Sequence, residues 1–298
     1  METKNEVFAS LSSCKITDES FSLENVKDYH LSLLLQPEGL SYAMLDMINN
    51  KYLAAEFISF EKTKHFNTAV KNIEEIFKNE QSLLYKLSST KKIKSASLCI
   101  AHPSFTLIPS PLFEEGKESD YLKFNLLSEV GEKISYDILR NANARNIYVL
   151  PNSIRIIFRQ YFPQLKIFHH TSVLIEGLLM QYKGSTSKKI FANFHQSYFE
   201  IVLLNGSELM FCNTFPYQNP EDVAYYLFFI FEQMKLNSDS TELVLSGHID
   251  KISGIHSLLY NYIRNVRFAS RPEGFNYSYK FDEISSHQFW SLFVQYLS

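Results

Sequence analysis

The chain has 298 residues, 45% of them hydrophobic and 20% charged, and a net charge of -3. That length predicts two domains or two lobes around a cleft. The balance of residues excludes disordered, collagen-like and coiled-coil classes, and the charge gives nucleic acid and anionic lipid no electrostatic footprint.

The 25 Phe and 18 Tyr beside a single Trp point to a sheet-rich core of aromatic strand formers, with a partner surface as the other use for so many rings. Cys14, Cys99 and Cys212 are far apart and odd in number, which suggests neither a disulfide framework nor a zinc knuckle and fits a reducing compartment. Residues 1–20 have no apolar core of a secretion signal. The longest apolar run, 224–231, falls far short of the roughly 20 residues that span a bilayer. A cytoplasmic protein without membrane insertion is expected.

In chain order, residues 1–27 are polar and aperiodic apart from Phe8, Phe21 and Leu23, and read as a tail pinned on a sheet. Residues 31–35 are nearly all apolar, Pro37-Glu38-Gly39 marks a turn, 40–48 is a second run, and Asn49-Asn50 turns the chain into a third, 52–60. These signals predict an antiparallel three-strand meander. Phe66, Val70, Ile73, Phe77, Leu84 and Leu87 recur at helical spacing, interrupted at Glu80, as a helix covering that sheet. Strands are expected at 95–101 and at 104–108, where Pro109 imposes a stop. A short helix capped by Ser119 or Asp120 runs through Asn125. Strands follow at 133–139, with Ile134, Tyr136 and Ile138 on one face, and at 146–150. Asn152 or Ser153 caps a helix that Pro163 ends, and 165–168 and 172–182 read as strand and helix.

Past the small, polar stretch 184–189, the meander returns at 190–194, 198–204 and 208–215, with Asn205-Gly206 as the hairpin signal. Asn219-Pro220-Glu221-Asp222 starts a helix, with proline in the first turn and acids against the dipole. It runs to Lys235. On it Tyr225, Phe228 and Phe229 share one face and Tyr226 and Ile230 another, a stripe wider than one sheet contact requires. Either the helix is sandwiched in a core, or one stripe is exposed for docking. A strand at 241–245, a turn at Ser246-Gly247-His248, a helix at 251–263, a short strand at 266–268 and a final helix at 285–297 complete the chain. The expected organisation is a tail at 1–27, a first lobe at 28–184 and a second at 185–298.

A three-strand meander feeding a helix and a strand, present twice, resembles the actin, Hsp70 and hexokinase superfamily, and most closely its pilus-assembly and cell-division branch. The strings Phe105-Thr106-Leu107-Ile108-Pro109, Leu112-Phe113 and Tyr121-Leu122-Lys123-Phe124-Asn125 resemble a Bacteroidetes family with an actin-like ATPase fold, a domain of unknown function. The resemblance covers about residues 28–298. It implies an α/β fold of duplicated ribonuclease H-like lobes. Each lobe is a mixed sheet, an antiparallel meander plus parallel strands, with helices packed on it.

In that superfamily the first hairpin turn follows an acid with glycines and a hydroxyl, since a carboxylate holds the water shell of Mg²⁺ while backbone N–H groups meet phosphate. Here the turn is Gln36-Pro37-Glu38-Gly39, in which only Gly39 could serve, Pro37 removes a donor and Glu38 repels phosphate. The second turn is Asn193-Phe194-His195-Gln196-Ser197, with an amide in place of an acid and a ring in the space of a diphosphate. The third, nucleoside-supporting turn survives as Ser246-Gly247 after a buried strand. The degenerate cleft implied by the resemblance is thus Gly39, Asn193, Ser197, Ser246 and Gly247.

No G-x-x-x-x-G-K, G-x-S-x-G, H-E-x-x-H or C-x-x-C occurs. His169-His170 on a strand point to opposite faces, one into the core and one outward. His195 and His248 either share a cleft or are bonded within their turns; Asp46 and Glu56 either pair or stand as sheet-face charges. Phosphoryl transfer depends on positioning and charge neutralisation, so the expectation is a pseudo-ATPase scaffold binding a protein partner, with a second copy of the chain as one form of partner. No catalytic residue, no metal and no cofactor beyond a residual nucleotide are expected. The alternative is an ATP-binding or ATP-hydrolysing enzyme with a rebuilt site, Glu38 or Asp46 serving as the metal acid.

Overall fold

A computed structural model describes residues 14–60, 66–123 and 132–298. The chain divides into two units: Cys14–Gly177 with Gly274–Glu283 and Ser291–Ser298, and Leu178–Glu273 with Ile284–Trp290. Residues 1–13 of the expected tail, and Asn125, lie outside the described residues.

In the first unit β1 (Lys15–Thr17), β2 (Tyr29–Gln36), β3 (Gly39–Asp46), β4 (Lys51–Ser59), β5 (Ser95–Ile100) and β9 (Lys166–His169) lie in the order β1-β4-β3-β2-β5-β9. β2, β3 and β4 form the expected antiparallel meander, and β2–β5 and β5–β9 are parallel. All eight residues of β2 are buried, because it lies between β3 and β5 with both faces covered; a strand of that kind reads as a near-continuous apolar run.

The helical stretch is two helices, α1 (Phe66–Lys78) and α2 (Leu83–Thr90), because Ser82 accepts a bond from the Leu84 N–H and restarts the helix. Phe77 stacks on Tyr161 of α4 (Asn152–Tyr161) with ring centroids 4.2 Å apart. The N-cap of α4 is Pro151, not Asn152 or Ser153; the Asn152 side chain instead accepts from Arg155. β6 (Phe105–Pro109), β7 (Glu132–Leu139) and β8 (Ala144–Pro151) form a separate antiparallel sheet, β6-β8-β7. α3 (Glu118–Lys123) packs against that sheet through Leu122, beside Ile147 and Val149. α5 (His170–Gln181) follows β9 directly.

The second unit holds β10 (Lys188–Phe194), β11 (Tyr198–Asn205), β12 (Glu208–Pro216), β13 (Glu242–Gly247) and β14 (Asn265–Phe268) in the order β12-β11-β10-β13-β14. β10–β12 are an antiparallel meander, and β10–β13 and β13–β14 are parallel. That repeats the pattern β4-β3-β2-β5-β9. Asn205 pairs with Glu208, so the turn residues are Gly206-Ser207 and not Asn205-Gly206. Gly206, at φ +61°, takes the position that demands a left-handed backbone.

α6 (Pro220–Gln233) carries the expected start: Asn219 accepts from the Asp222 N–H, and the Asp222 carboxylate accepts from the Asn219 N–H. α7 (Gly254–Tyr262) begins later than expected, because Ser253 caps it at the His256 N–H.

The expected long final helix is largely absent. Residues 279–283 form a 3-10 turn, only Trp290–Val294 form α8, and a 3-10 turn follows at 295–297. Phe289 at φ +59° breaks the helix, and the Ser286 hydroxyl ties the preceding segment to the Ala269 carbonyl. A two-residue strand that the alternation did not announce, β15 (Asn276–Tyr277), runs parallel to β4.

Candidate functional site

Of the five residues expected to border a nucleotide, Asn193, Ser246 and Gly247 come together in the second unit, because β10 and β13 are parallel with Asn193 opposite Ser246 and Phe194 opposite Gly247. The Asn193 amide nitrogen donates to Glu200 Oε2 at 3.0 Å and lies 3.1 Å from His195 Nε2. Its oxygen accepts from the Ser246 hydroxyl at 3.0 Å. His195 Nε2 in turn lies 3.0 Å from Glu200 Oε2, and all four side chains are buried. Both ends of the amide are engaged inside the protein.

The turn itself is filled by aromatic packing. Phe194 is buried and stacks on Phe199 at 5.3 Å, and the His195 ring stacks on Tyr198 at 4.3 Å. The Tyr217 hydroxyl donates to the His195 carbonyl at 2.6 Å. Ser197 is exposed and shares none of these contacts; its carbonyl accepts from the Tyr217 N–H. Gly247 has φ +80°, and a Cβ there would lie 2.3 Å from the Phe194 carbonyl oxygen and 3.0 Å from Asn193 Oδ1. The glycine serves a close approach of β13 to β10.

Gly39 belongs to the first unit, at the β2–β3 turn, where Gln36 and Gly39 pair across Pro37-Glu38. A Cβ at Gly39 would lie 2.5 Å from the Phe57 ring and 2.6 Å from the Ile58 carbonyl oxygen. The space beside that glycine therefore belongs to Phe57. Asp46 caps the next turn, accepting from the N–H groups of Ile48 and Asn49 and from the Asn49 amide. Glu56 accepts from the Tyr42 hydroxyl at 2.5 Å and faces Lys15 at 3.4 Å. The two acids thus have separate partners.

The expectation of one buried and one exposed histidine at 169–170 is corrected: both are buried. They stand where β9 passes directly into α5, so strand alternation does not govern them. His169 Nε2 meets the His102 carbonyl at 2.9 Å, whereas His170 Nε2 meets the Ser291 hydroxyl at 2.8 Å. His195 and His248 lie with ring centroids 6.4 Å apart. Glu200 was missed by motif reasoning, although the signal was present: a lone acid in the otherwise apolar run of β11.

A family model described as "Protein of unknown function (DUF3822)" matches residues 18–266. The chain belongs to that family. This DUF3822 chain has the actin-like ATPase fold. It is similar to a Bacteroides thetaiotaomicron protein of that fold and unknown function, with TM-score 0.72 at 24% identity, covering 84% of this chain and 93% of the other.

The fold also matches a structure of the PilM–PilN type IV pilus biogenesis complex, TM-score 0.58 at 10% identity, over 90% of this chain and 98% of that one. A weaker likeness, TM-score 0.43 at 10% identity over 90% and 93% of the two chains, is to the cytoplasmic domain of EpsL from Vibrio cholerae. No curated protein matches the DUF3822 chain by sequence. Among its described residues no helix is long and apolar enough to cross a membrane.

Proposed function

We propose that this DUF3822 protein is a cytoplasmic, non-catalytic scaffold of the actin-like fold that holds a protein partner instead of turning over a nucleotide. The observation that carries the reading is the closed cluster of Asn193, His195, Glu200 and Ser246, with Phe194 packed beneath and Gly247 against the Phe194 carbonyl. In this fold those turns would have to present backbone donors and a metal-holding acid outward. Here the polar groups bind one another, and Phe57 takes the space beside Gly39 in the other unit.

A partner-binding role agrees with the fold's use in the PilM–PilN complex, an assembly of two proteins. The second unit offers a surface for it: Tyr225 and Phe229, one turn apart on α6, are 67% and 46% exposed, and contiguous exposed apolar groups mark interaction sites.

The test is phosphate release by the purified protein with Mg²⁺ and ATP, together with thermal unfolding in a panel of nucleotides. Release equal to a buffer control is expected, with no shift at millimolar ATP or ADP, whereas a ligand at 100 times its dissociation constant would add about 2.7 kcal/mol. Turnover above the control that disappears in Asn193→Ala would overturn the proposal in favour of a rebuilt ATPase site.

A further inference from the structure

β7, β9 and the first turns of α5, all within the first unit, border a cavity of about 760 Å³. Cavities that hold metabolite-sized ligands span about 300–1,000 Å³, with mostly apolar walls and a few convergent polar groups.

The two side-chain carboxylates on its wall are already satisfied. Asp137 accepts from the Tyr148 hydroxyl at 3.1 Å and from the His169 N–H at 2.8 Å. Glu176 accepts from the Asn141 N–H at 3.0 Å, the Asn141 amide at 2.8 Å and the Ala142 N–H at 3.3 Å, which ties α5 to the β7–β8 turn. The two cations on the wall are not: among the described residues, the side chains of Arg140 and Lys166 make no hydrogen bond or ion pair, and both are exposed. Nearby, Ile138 is 54% and Leu297 41% exposed, and together with Ile167 and Phe168 they give the concave surface an apolar side.

We propose that this cavity binds a small organic acid, its anionic head held by Arg140 and Lys166 and its apolar body laid on Ile138, Ile167, Phe168 and Leu297. The sign of the ligand follows from which charges have partners. A cationic ligand would compete with donors that already satisfy Asp137 and Glu176, whereas an anion meets two cations that have no hydrogen-bond or ion-pair partner among the described residues. Arginine presents forked donors that suit carboxylate and phosphate alike, so the head is an anionic group of either kind.

Isothermal titration of the full-length protein with 4-phenylbutyrate, phenyl phosphate and the neutral 4-phenylbutan-1-ol tests the site. At least one acid should bind saturably with one-to-one stoichiometry, about tenfold or more tighter than the alcohol, and the tighter acid names the preferred head group. Lys166→Glu and Arg140→Glu should each weaken that acid by about tenfold or more while leaving circular dichroism and the melting temperature unchanged, since both side chains are exposed. Ile138→Ser should weaken acid and alcohol together. Equal affinity for acid and alcohol, indifference to both charge reversals, or no saturation by either acid would overturn the proposal.

Discussion

Burial pushes the Asp137 carboxyl up to about 6, although Ser172, His169 and Tyr148 donate to it. Burial also pushes the His30 imidazole down to about 4, helped by the charge of Lys166. A carboxyl whose pKa is raised on folding contributes stability that is full below its unfolded value, near 4, and lost as pH rises through about 6. A histidine whose pKa is lowered contributes stability that is full above about 6.5 and lost as pH falls through about 4. Each effect is worth roughly 3 kcal/mol, and they oppose one another in the same window. Relative to the parent protein, Asp137→Asn should therefore gain stability as pH rises from 4 to 6, and His30→Gln should gain it as pH falls from 6.5 to 4. Urea unfolding across that range measures both, and a pH-independent difference for either variant would refute its assignment.

At the same scale, Gly247→Ala forces a side chain onto a backbone at φ +80° and against the Phe194 carbonyl. The backbone conformation alone costs roughly 1–3 kcal/mol. The clash adds to it by pushing β13 from the strand it pairs with, so a loss of about 2 kcal/mol or more is expected. A variant within about 0.5 kcal/mol of the parent, the scatter of ordinary surface changes, would show that the glycine is dispensable.

Among the elements, α6 has the clearest split between local and tertiary control. Its cap and its start could be read from Asn219-Pro220-Glu221-Asp222, because capping is a matter of four consecutive residues. Its aromatic content did not say which rings are covered. Val223, Leu227 and Ile230 face the core, Tyr226 is half-buried against Phe215 at 4.7 Å, and Phe228 meets Tyr262 at 5.3 Å. Tyr225 and Phe229 are left outward, so a docking surface on this helix lies at those two positions. The double variant Tyr225→Glu with Phe229→Glu should unfold within about 0.5 kcal/mol of the parent and yet fail in self-association by sedimentation and in partner recovery by affinity capture. Tyr226→Glu should instead lower stability by about 1–3 kcal/mol, since it buries a charge against aromatic rings. Unchanged association and recovery by the stable double variant would eliminate this face as the docking surface.

For the whole molecule, strand alternation, turn residues and helical spacing were enough to read both meanders and the helix and strand order repeated after each, while the actin-like fold was implied by the resemblance of that order to a known superfamily. Those signals are local: they depend on which side chains a few neighbouring residues can turn to one face. The residues on which the proposed loss of phosphate donors rests, Pro37, Glu38 and Phe194, were also legible, because removing a donor or filling a turn is visible in the residues themselves.

What only the tertiary structure decided was the use of everything with a distant partner. Glu200 reaches Asn193 and His195 because β11 lies against β10, and Ser246 reaches Asn193 because β13 lies on the other side of β10. β6, β7 and β8 leave the main sheet for one of their own, and β15 adds to β4 from more than 200 residues away, as the Asn50 amide bonded to the Gly274 carbonyl records. Periodicity along a chain reports how a segment presents its faces. It carries no record of which segment arrives to cover them, and burial, the pKa shifts that burial causes and the choice between core and contact surface all follow from that arrival.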